Sequence, residues 1–335
     1  MNKLFVLLLS FIATTVFAQD PDVKTLQETA KTFQRQGDFG NAIIVLNKAL
    51  EKEPSNIEVQ KDLAFNYYLN HDYDKALKIG KPLTEKPGAD VQSYQILGLV
   101  YKAIEDRKEC EKLYKKGLKE FPNSGVLYNE YGEMLWTKQD YGAIKMWEKG
   151  IEVDPNYSGN YYNAAKHYYM TNDKVWSLIY GEMFLNLESY TRRTAEIKNV
   201  LLDGYKKLFA AADMMKGQDA KNEFTTAFLN TMKKEYSIVA SGITPETLTM
   251  IRTKFILDWD ASFASRFPLR LFDYQRQLLK GGLFDAYNQW LFGAAQNLTA
   301  FQNWSTTHTD QYDEFNKFQK GRVFKVPAGQ YYQTK

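Results

Sequence analysis

Apolar and polar positions recur in phase along the first half of this chain. Segments beginning at Val23, Ile57, Val91, Gly125 and Ser158 align with one another at steps of 34, 34, 34 and 33 residues. The eighth place of each segment is small (Ala30, Ala64, Gly98, Gly132, Ala165) and the eleventh is large (Phe33, Tyr67, Tyr101, Leu135, Tyr168). The sixteenth is always aspartate: Asp38, Asp72, Asp106, Asp140 and Asp173. A carboxylate there can accept the free N–H groups that open a second helix. Small residues follow within that helix, at Ala42, Ala76, Cys110, Ala143 and Ser177, the fourth segment having lost one position. Pro54, Pro122 and Pro155 close segments one, three and four, Pro87-Gly88 closes the second, and the fifth has no proline. Each segment therefore reads as two helices joined by a short turn, with small residues where the helices approach.

Past Glu188 the period disappears while helical spacing persists. Ile197, Val200, Leu201, Leu208 and Phe209 predict one amphipathic helix, and Phe224, Phe228, Met232, Tyr236 and Val239 predict another. Thr244-Pro245-Glu246 supplies a cap, a first-turn proline and an early carboxylate ahead of the helix Leu248 to Phe263. After Phe267-Pro268 come a helix from Leu269 to Lys280, a break at Gly281-Gly282, a helix from Leu283 to Gln296 and one more from Leu298 to Lys320. Leu271, Tyr274, Leu278, Leu283, Tyr287 and Trp290 are predicted to share an apolar face across the diglycine. The last stretch, GRVFKVPAGQYYQTK, has no helical pattern.

The recurrence of small, large, Asp, small and Pro resembles the tetratricopeptide repeat. That resemblance implies an all-α fold: a right-handed superhelix of about five helix-turn-helix repeats over residues 19–189, followed by a helical C-terminal domain over 190–320 and an irregular tail over 321–335. In the fifth copy Gly181 and Phe184 reverse the family's order of large and small, so its second helix is expected to sit differently. The family typically binds peptide segments along the first helix of each repeat. At the places that line this groove stand Phe65, Tyr68, Trp136, Tyr162 and Tyr169 as apolar anchors, and Lys61, Lys102, Asn129 and Lys166 as groups that would orient a protein or peptide partner. The basic three-residue carboxylate clamp of some members is not present in full. Either a partner or the chain's own C-terminal part is expected to cover these aromatics, because apolar patches of this size usually meet something. A repeat array needs a terminal cap, and the C-terminal helices are the candidate.

Composition adds limits. A chain of 335 residues with 44% hydrophobic and 25% charged residues is that of a folded protein, and 43 basic against 40 acidic residues, scattered, give no electrostatic case for nucleic acid. Lys3, the apolar run Leu4 to Phe17 and the Val16-Phe17-Ala18 junction predict a secretory signal peptide over residues 1–18, cleaved before Gln19. The junction has a bacterial character, which places the mature chain in the periplasm or, second, outside the cell. No later segment approaches twenty apolar residues, so no transmembrane segment is expected in the mature chain. Cys110 is the only cysteine, which excludes an internal disulfide, and its alanine-like slot reads as buried packing.

Candidate chemistry is sparse. His71, His167 and His308 lie far apart with no metal-ligand spacing, and no nucleophile elbow, phosphate loop or dinucleotide fingerprint is present. No catalytic residue, metal site or cofactor is assigned; His308 with Asp310 is read as a solvated pair. The expectation is a non-enzymatic scaffold or adaptor of the bacterial cell envelope. Two alternatives stay open: a ligand-binding or catalytic C-terminal domain presented by the repeats, and a structural subunit of an envelope assembly.

Overall fold

The computed structural model describes residues 21–334, so the predicted signal peptide, residues 1–18, lies outside the described residues. Every regular element among those residues is helical, and no helix is long and apolar enough to cross a membrane. The chain divides into two compact units at Ala89–Asp90.

The first unit holds two helix pairs, α1 (Val23–Arg35) with α2 (Phe39–Lys52) and α3 (Ile57–Leu69) with α4 (Tyr73–Leu83). Its core gathers Leu26, Ala30, Ala42, Leu46, Val59 and Leu63, and so includes the small positions of the first repeat; Ala64 and Ala76 of the second are buried as well. The second unit continues with α5 (Val91–Ala103) and α6 (Arg107–Glu120), α7 (Gly125–Thr137) and α8 (Ala143–Val153), and α9 (Ser158–Tyr169) and α10 (Lys174–Leu187). Each segment start read from the sequence is thus the first residue of a helix.

Local chemistry sets these boundaries. Asp38, Asp72 and Asp106 accept the N–H groups of Asn41, Lys75 and Glu109 at 3.1, 3.4 and 3.2 Å, as a cap should. Asp140 departs from the expectation: with one residue fewer it accepts from Gly142 at 2.8 Å, and α8 starts two residues later after its aspartate than α2, α4 and α6 do; Asp173 also departs, preceding α10 with no side-chain cap bond. A second series of caps precedes the first helices, where Asp22, Asn56, Asp90 and Ser124 accept from Thr25, Val59, Ser93 and Leu127. Within repeats the turn is closed by a left-handed residue just before the aspartate. It is glycine only in the first repeat (Gly37, φ 77°); His71, Glu105 and Gln139 take φ near 60° in the next three.

The small eighth position has a direct cause in the third repeat. A Cβ at Gly98 would run into the ring of Tyr114, a side chain of α6 that is itself fully buried. Cys110 is also buried, its thiol 3.9 Å from the Gly98 carbonyl and its pKa pushed up to about 11 by burial, which fits packing rather than reactivity.

Beyond α10 come α11 (Arg192–Ala210), α12 (Glu223–Lys233), α13 (Pro245–Ser262), α14 (Arg270–Lys280), α15 (Phe284–Asn288), α16 (Ala294–Gln296), α17 (Leu298–Thr307) and α18 (Thr309–Gly321). Three predicted helices need correction. The second amphipathic helix stops at Lys233, because the Tyr236 hydroxyl lies 2.9 and 2.7 Å from the carbonyls of Phe209 and Ala211, and residues 236–241 form a 3-10 turn instead. The helix predicted over 283–296 contains a π turn, Gln289–Gly293, between α15 and α16. The helix predicted over 298–320 breaks at His308, where Thr306, Thr307 and Thr309 turn their hydroxyls onto backbone carbonyls. The six residues expected to share a face around the diglycine are all buried.

The C-terminal helices wrap α10. Every residue from Val175 to Asn186 is buried, including Glu182, whose Oε1 accepts from Arg252 on α13, from Gln275 on α14 at 2.6 Å and from Tyr287 on α15 at 2.8 Å. Arg252 also donates to Asn288 and lies over the rings of Phe284, Tyr287 and Phe292. The reversed order in the fifth repeat has its explanation here: a Cβ at Gly181 would stand 2.9 Å from Leu201 of α11, so the missing side chain admits that helix. Residues 322–334 are irregular as predicted, yet Phe324, Val326 and Tyr332 are buried. Burial of side chains of this size stabilises by roughly 1.5–3 kcal/mol each, enough to order a segment without secondary structure.

Candidate functional site

The predicted groove residues all lie on first helices, and each unit presents its own set. On α3, Phe65 and Tyr68 stack at 6.0 Å with 18° between their planes, and Tyr68 meets Tyr73 at 6.2 Å. Both Phe65 and Tyr68 remain half-buried. Lys61 does not match expectation: its side chain is 2% exposed, with Nζ 2.7 Å from Glu58. An ammonium held inside is not presented to a partner.

In the second unit, side chains on successive first helices are linked at spacings near one repeat. Gln95 donates to Glu130 at 3.2 Å; Lys102 is paired with Glu130 and lies 3.5 Å from Glu133. Burial works against the charge on Lys102, but Glu130 and Glu133 hold its pKa above the ordinary value. Asn129 donates to Glu133 at 3.0 Å and accepts from Asn163 at 2.9 Å. It too is buried, at 3%, so its amide serves the ladder rather than a partner's backbone. Tyr162 donates to Glu196, and Lys166 lies 2.7 Å from the same carboxylate and 3.1 Å from the Tyr162 hydroxyl. Tyr169 donates to Asp203 at 2.5 Å.

Glu196 and Asp203 belong to α11, and each lies 34 positions after its tyrosine. Arg193, also on α11, covers the Tyr162 ring at 4.8 Å. Although the sequence period ends near Glu188, α11 starts 34 residues after α9 and carries the ladder one helix further. Adding 34 to Tyr162 and Tyr169 would have found both carboxylates. The apolar pattern hid them because Lys207 stands where the repeat aspartate belongs.

The aromatics expected as anchors keep part of their surface. Trp136, Tyr162 and Tyr169 are half-buried, like Phe65 and Tyr68. Trp136 meets His167 edge-on at 5.7 Å, and burial lowers the pKa of that imidazole, favouring its neutral form. Lys102 and Lys166 are partly exposed beside these rings. Next to Tyr169 opens a cleft of about 960 Å³, lined also by Met170, Lys174, Lys207, Leu208 and Met214. Lys207 Nζ lies 4.0 Å from the centre of the Tyr169 ring and Lys174 Nζ 5.6 Å from it. Burial and the neighbouring Lys207 charge both depress the Lys174 pKa. The arrangement offers flat apolar rings bordered by charge, suited to holding side chains by contact.

Residues 91–124 match the tetratricopeptide repeat family model. They are the third helix pair, α5 and α6. Tetratricopeptide repeat protein 21B of Mus musculus is 28% identical over 120 residues, covering 35% of this chain and 9% of that protein, so the chain spans under a tenth of its curated relative. Among solved structures, the chain is similar to TTC0263, a thermophilic TPR protein of Thermus thermophilus, with 14% identity, TM-score 0.46 and coverage of 54% of this chain and 99% of that one. It is also similar to MamA (20% identity, TM-score 0.39, coverage 48% and 94%) and to YrrB, described as a TPR protein with an unusual peptide-binding site (16%, 0.36, 55% and 92%).

Proposed function

We propose that this chain is a non-enzymatic protein-interaction scaffold of the bacterial cell envelope, which captures a segment of a partner protein on the first-helix faces of its repeats. The observation that carries this reading is that Phe65 and Tyr68 in the first unit, and Trp136, Tyr162 and Tyr169 in the second, stay half-buried, the last two even where α11 bonds their hydroxyls. Aromatic side chains left in this state, three of them (Tyr68, Trp136 and Tyr169) at the same place of their repeats, suit anchoring, since they bury large area at small entropic cost. Lys102 and Lys166 would orient the segment at the rim. Lys61 and Asn129, being buried, would act by holding the helices that present the rings. The predicted leader supports a periplasmic setting, with release outside the cell second.

The test is a cross-linked capture from a native bacterial envelope with the chain from Gln19 onward as bait. One or two stoichiometric partners, lost with Tyr162→Ala and Trp136→Ala while the helical signal and melting transition persist, is the expected result. Capture unchanged in those variants would remove the first-helix face from the reading. A second reading rests on the cleft beside Tyr169: a volume of about 960 Å³ suits a small ligand as well as one end of a peptide. Lys207→Gln that abolishes a ligand-dependent melting shift without affecting partner capture would favour it.

A further inference from the structure

Residues 322–334 are held the way a bound peptide is held. Two asparagines from separate parts of the second unit read the backbone of this segment. Asn156, in the loop between α8 and α9, accepts the Val326 N–H at 2.8 Å and donates to the Val326 carbonyl at 3.0 Å. Asn222, at the start of α12, donates to the carbonyls of Tyr332 and Gln333 at 2.7 and 3.0 Å while its Oδ1 caps the helix. Between them the Arg270 N–H donates to Gln330 Oε1 at 2.7 Å. Side chains fill fixed places: Phe324 meets Tyr274 edge-on at 5.5 Å, and Tyr332 stacks on Phe224 at 5.2 Å with its hydroxyl donating to the Pro268 carbonyl at 2.7 Å. Gln333 donates to the Tyr168 hydroxyl. Amide contacts to backbone hold any extended segment, and the side-chain places add selectivity.

We propose that this seat is a second peptide-recognition surface, filled here by the chain's own residues 322–334 as a pseudo-ligand. Its partner in trans is an extended protein segment with an aromatic residue, an aliphatic residue two places on and a tyrosine six places further. That spacing is the one at which Phe324, Val326 and Tyr332 are buried. The segment can leave without unwinding a helix, because it contributes no residue to one. At its start Arg322 donates to the carbonyl and the side-chain oxygen of Asn186 at 3.2 and 2.8 Å and lies over the Tyr274 ring, so this residue is released with the tail, while Val323 beside it is 82% exposed. While seated, the tail competes in cis at an effective concentration on the order of millimolar, so it sets a threshold that a partner must exceed. Phe65, Tyr68, Trp136, Tyr162 and Tyr169 take no part in these contacts, and the proposal therefore stands or falls apart from the scaffold reading.

The test uses the full chain and, as probe, a fluorescein-labelled synthetic peptide of residues 322–334, read by anisotropy. The native chain should bind the probe weakly. Tyr332→Ala in the chain, which loosens the resident tail, should raise affinity for the probe at least tenfold, and adding Asn156→Ala should remove that gain. A Tyr332→Ala chain that folds and takes up no probe, or binds it no better than the native chain, overturns the proposal. Should Tyr332→Ala fail to fold, Gln330→Ala with Gln333→Ala loosens the tail by two hydrogen bonds and serves the same comparison. Hydrogen exchange on the native chain is an independent check. Amides of 323–334 exchanging well before those of α12 and α14 support a detachable tail, and exchange in one step with those helices overturns it. Sedimentation showing a dimer that the probe dissolves would assign the seat to a second copy of this chain and overturn the partner named here.

Discussion

Helices α6 and α10 hold the same place in their repeats and have little else in common. In α6, RKECEKLYKKGLKE, only Cys110, Leu113, Tyr114 and Gly117 are buried, and apart from Arg107 and Leu118 the remaining residues are lysine and glutamate. In α10, KVWSLIYGEMFLNL, burial is continuous from Val175 to Asn186. The repeat therefore dictates only the stripe that meets the paired first helix. Beyond the next first helix, α7 for α6 and α11 for α10, what stands on the other side decides the rest: solvent for α6, and α12 and α14 for α10. Three polar residues that remain in α10 are answered, whereas the Trp176 N–H and the Tyr180 hydroxyl are buried without a hydrogen-bond partner. Ser177 donates to the Ala165 carbonyl at 3.1 Å, Asn186 to the Tyr287 hydroxyl at 2.7 Å, and Glu182 anchors the Arg252 network.

The largest effect expected from this contrast is at Glu182. Glu182→Ala leaves the Arg252 guanidinium buried without its carboxylate and should cost about 3–5 kcal/mol in urea unfolding. Lys112→Ala on the exposed face of α6 should change stability by less than about 0.5 kcal/mol. Equal costs would end the comparison. Next in size is Gly98→Ala, where a methyl group meets the buried Tyr114 ring. A loss of about 1–3 kcal/mol is expected in the same measurement.

A smaller effect depends on pH. Glu148 on α8 lies under Tyr168, and burial raises its pKa from 4.5 to about 7, against the pull of the Tyr168 hydroxyl that donates to it. Between those values the unfolded chain has released the proton and the folded chain still holds it, so the folded state binds more protons and stability falls as pH rises from about 4.5 to about 7. Melting temperatures measured from pH 5 to 8 should show this decline, and Glu148→Gln should remove a part on the order of 1–2 kcal/mol. Smallest is the turn. Glu105→Gly relieves a left-handed residue and should add about 0.5–1 kcal/mol, whereas Asn172→Gly, at the same place in the fifth repeat but without positive φ, should add none.

Much of this was legible in the chain. The first residues of α1, α3, α5, α7 and α9 follow from a period of 34, and the caps at Asp38, Asp72 and Asp106 from the aspartate that the period repeats, though those expected at Asp140 and Asp173 do not form. Helix ends past α11 were less so, because they depend on partners distant in sequence: Tyr236 seeking the end of α11, or a run of threonines bonding back to carbonyls around His308. For the candidate site, the aromatic positions could be named from residue type and place. The burial of Lys61 and Asn129 could not, since it depends on how neighbouring helices close over them. Tail residues Phe324, Val326 and Tyr332 escaped for a related reason, as irregular segments carry no periodicity to mark which side is covered.

The pairing of Asn156 with Val326 spans 170 positions, against 34 for a rung of the ladder between first helices. Loop closure over such a span demands more chain entropy than any repeat contact, and it cannot be rewarded until α12, α14 and the fifth repeat already stand in place. Seating of the tail is thus the expected last event of folding, a latch set after assembly. In pulse-labelled refolding, the amides of α5 to α10 should gain protection first and those of residues 323–334 at the end.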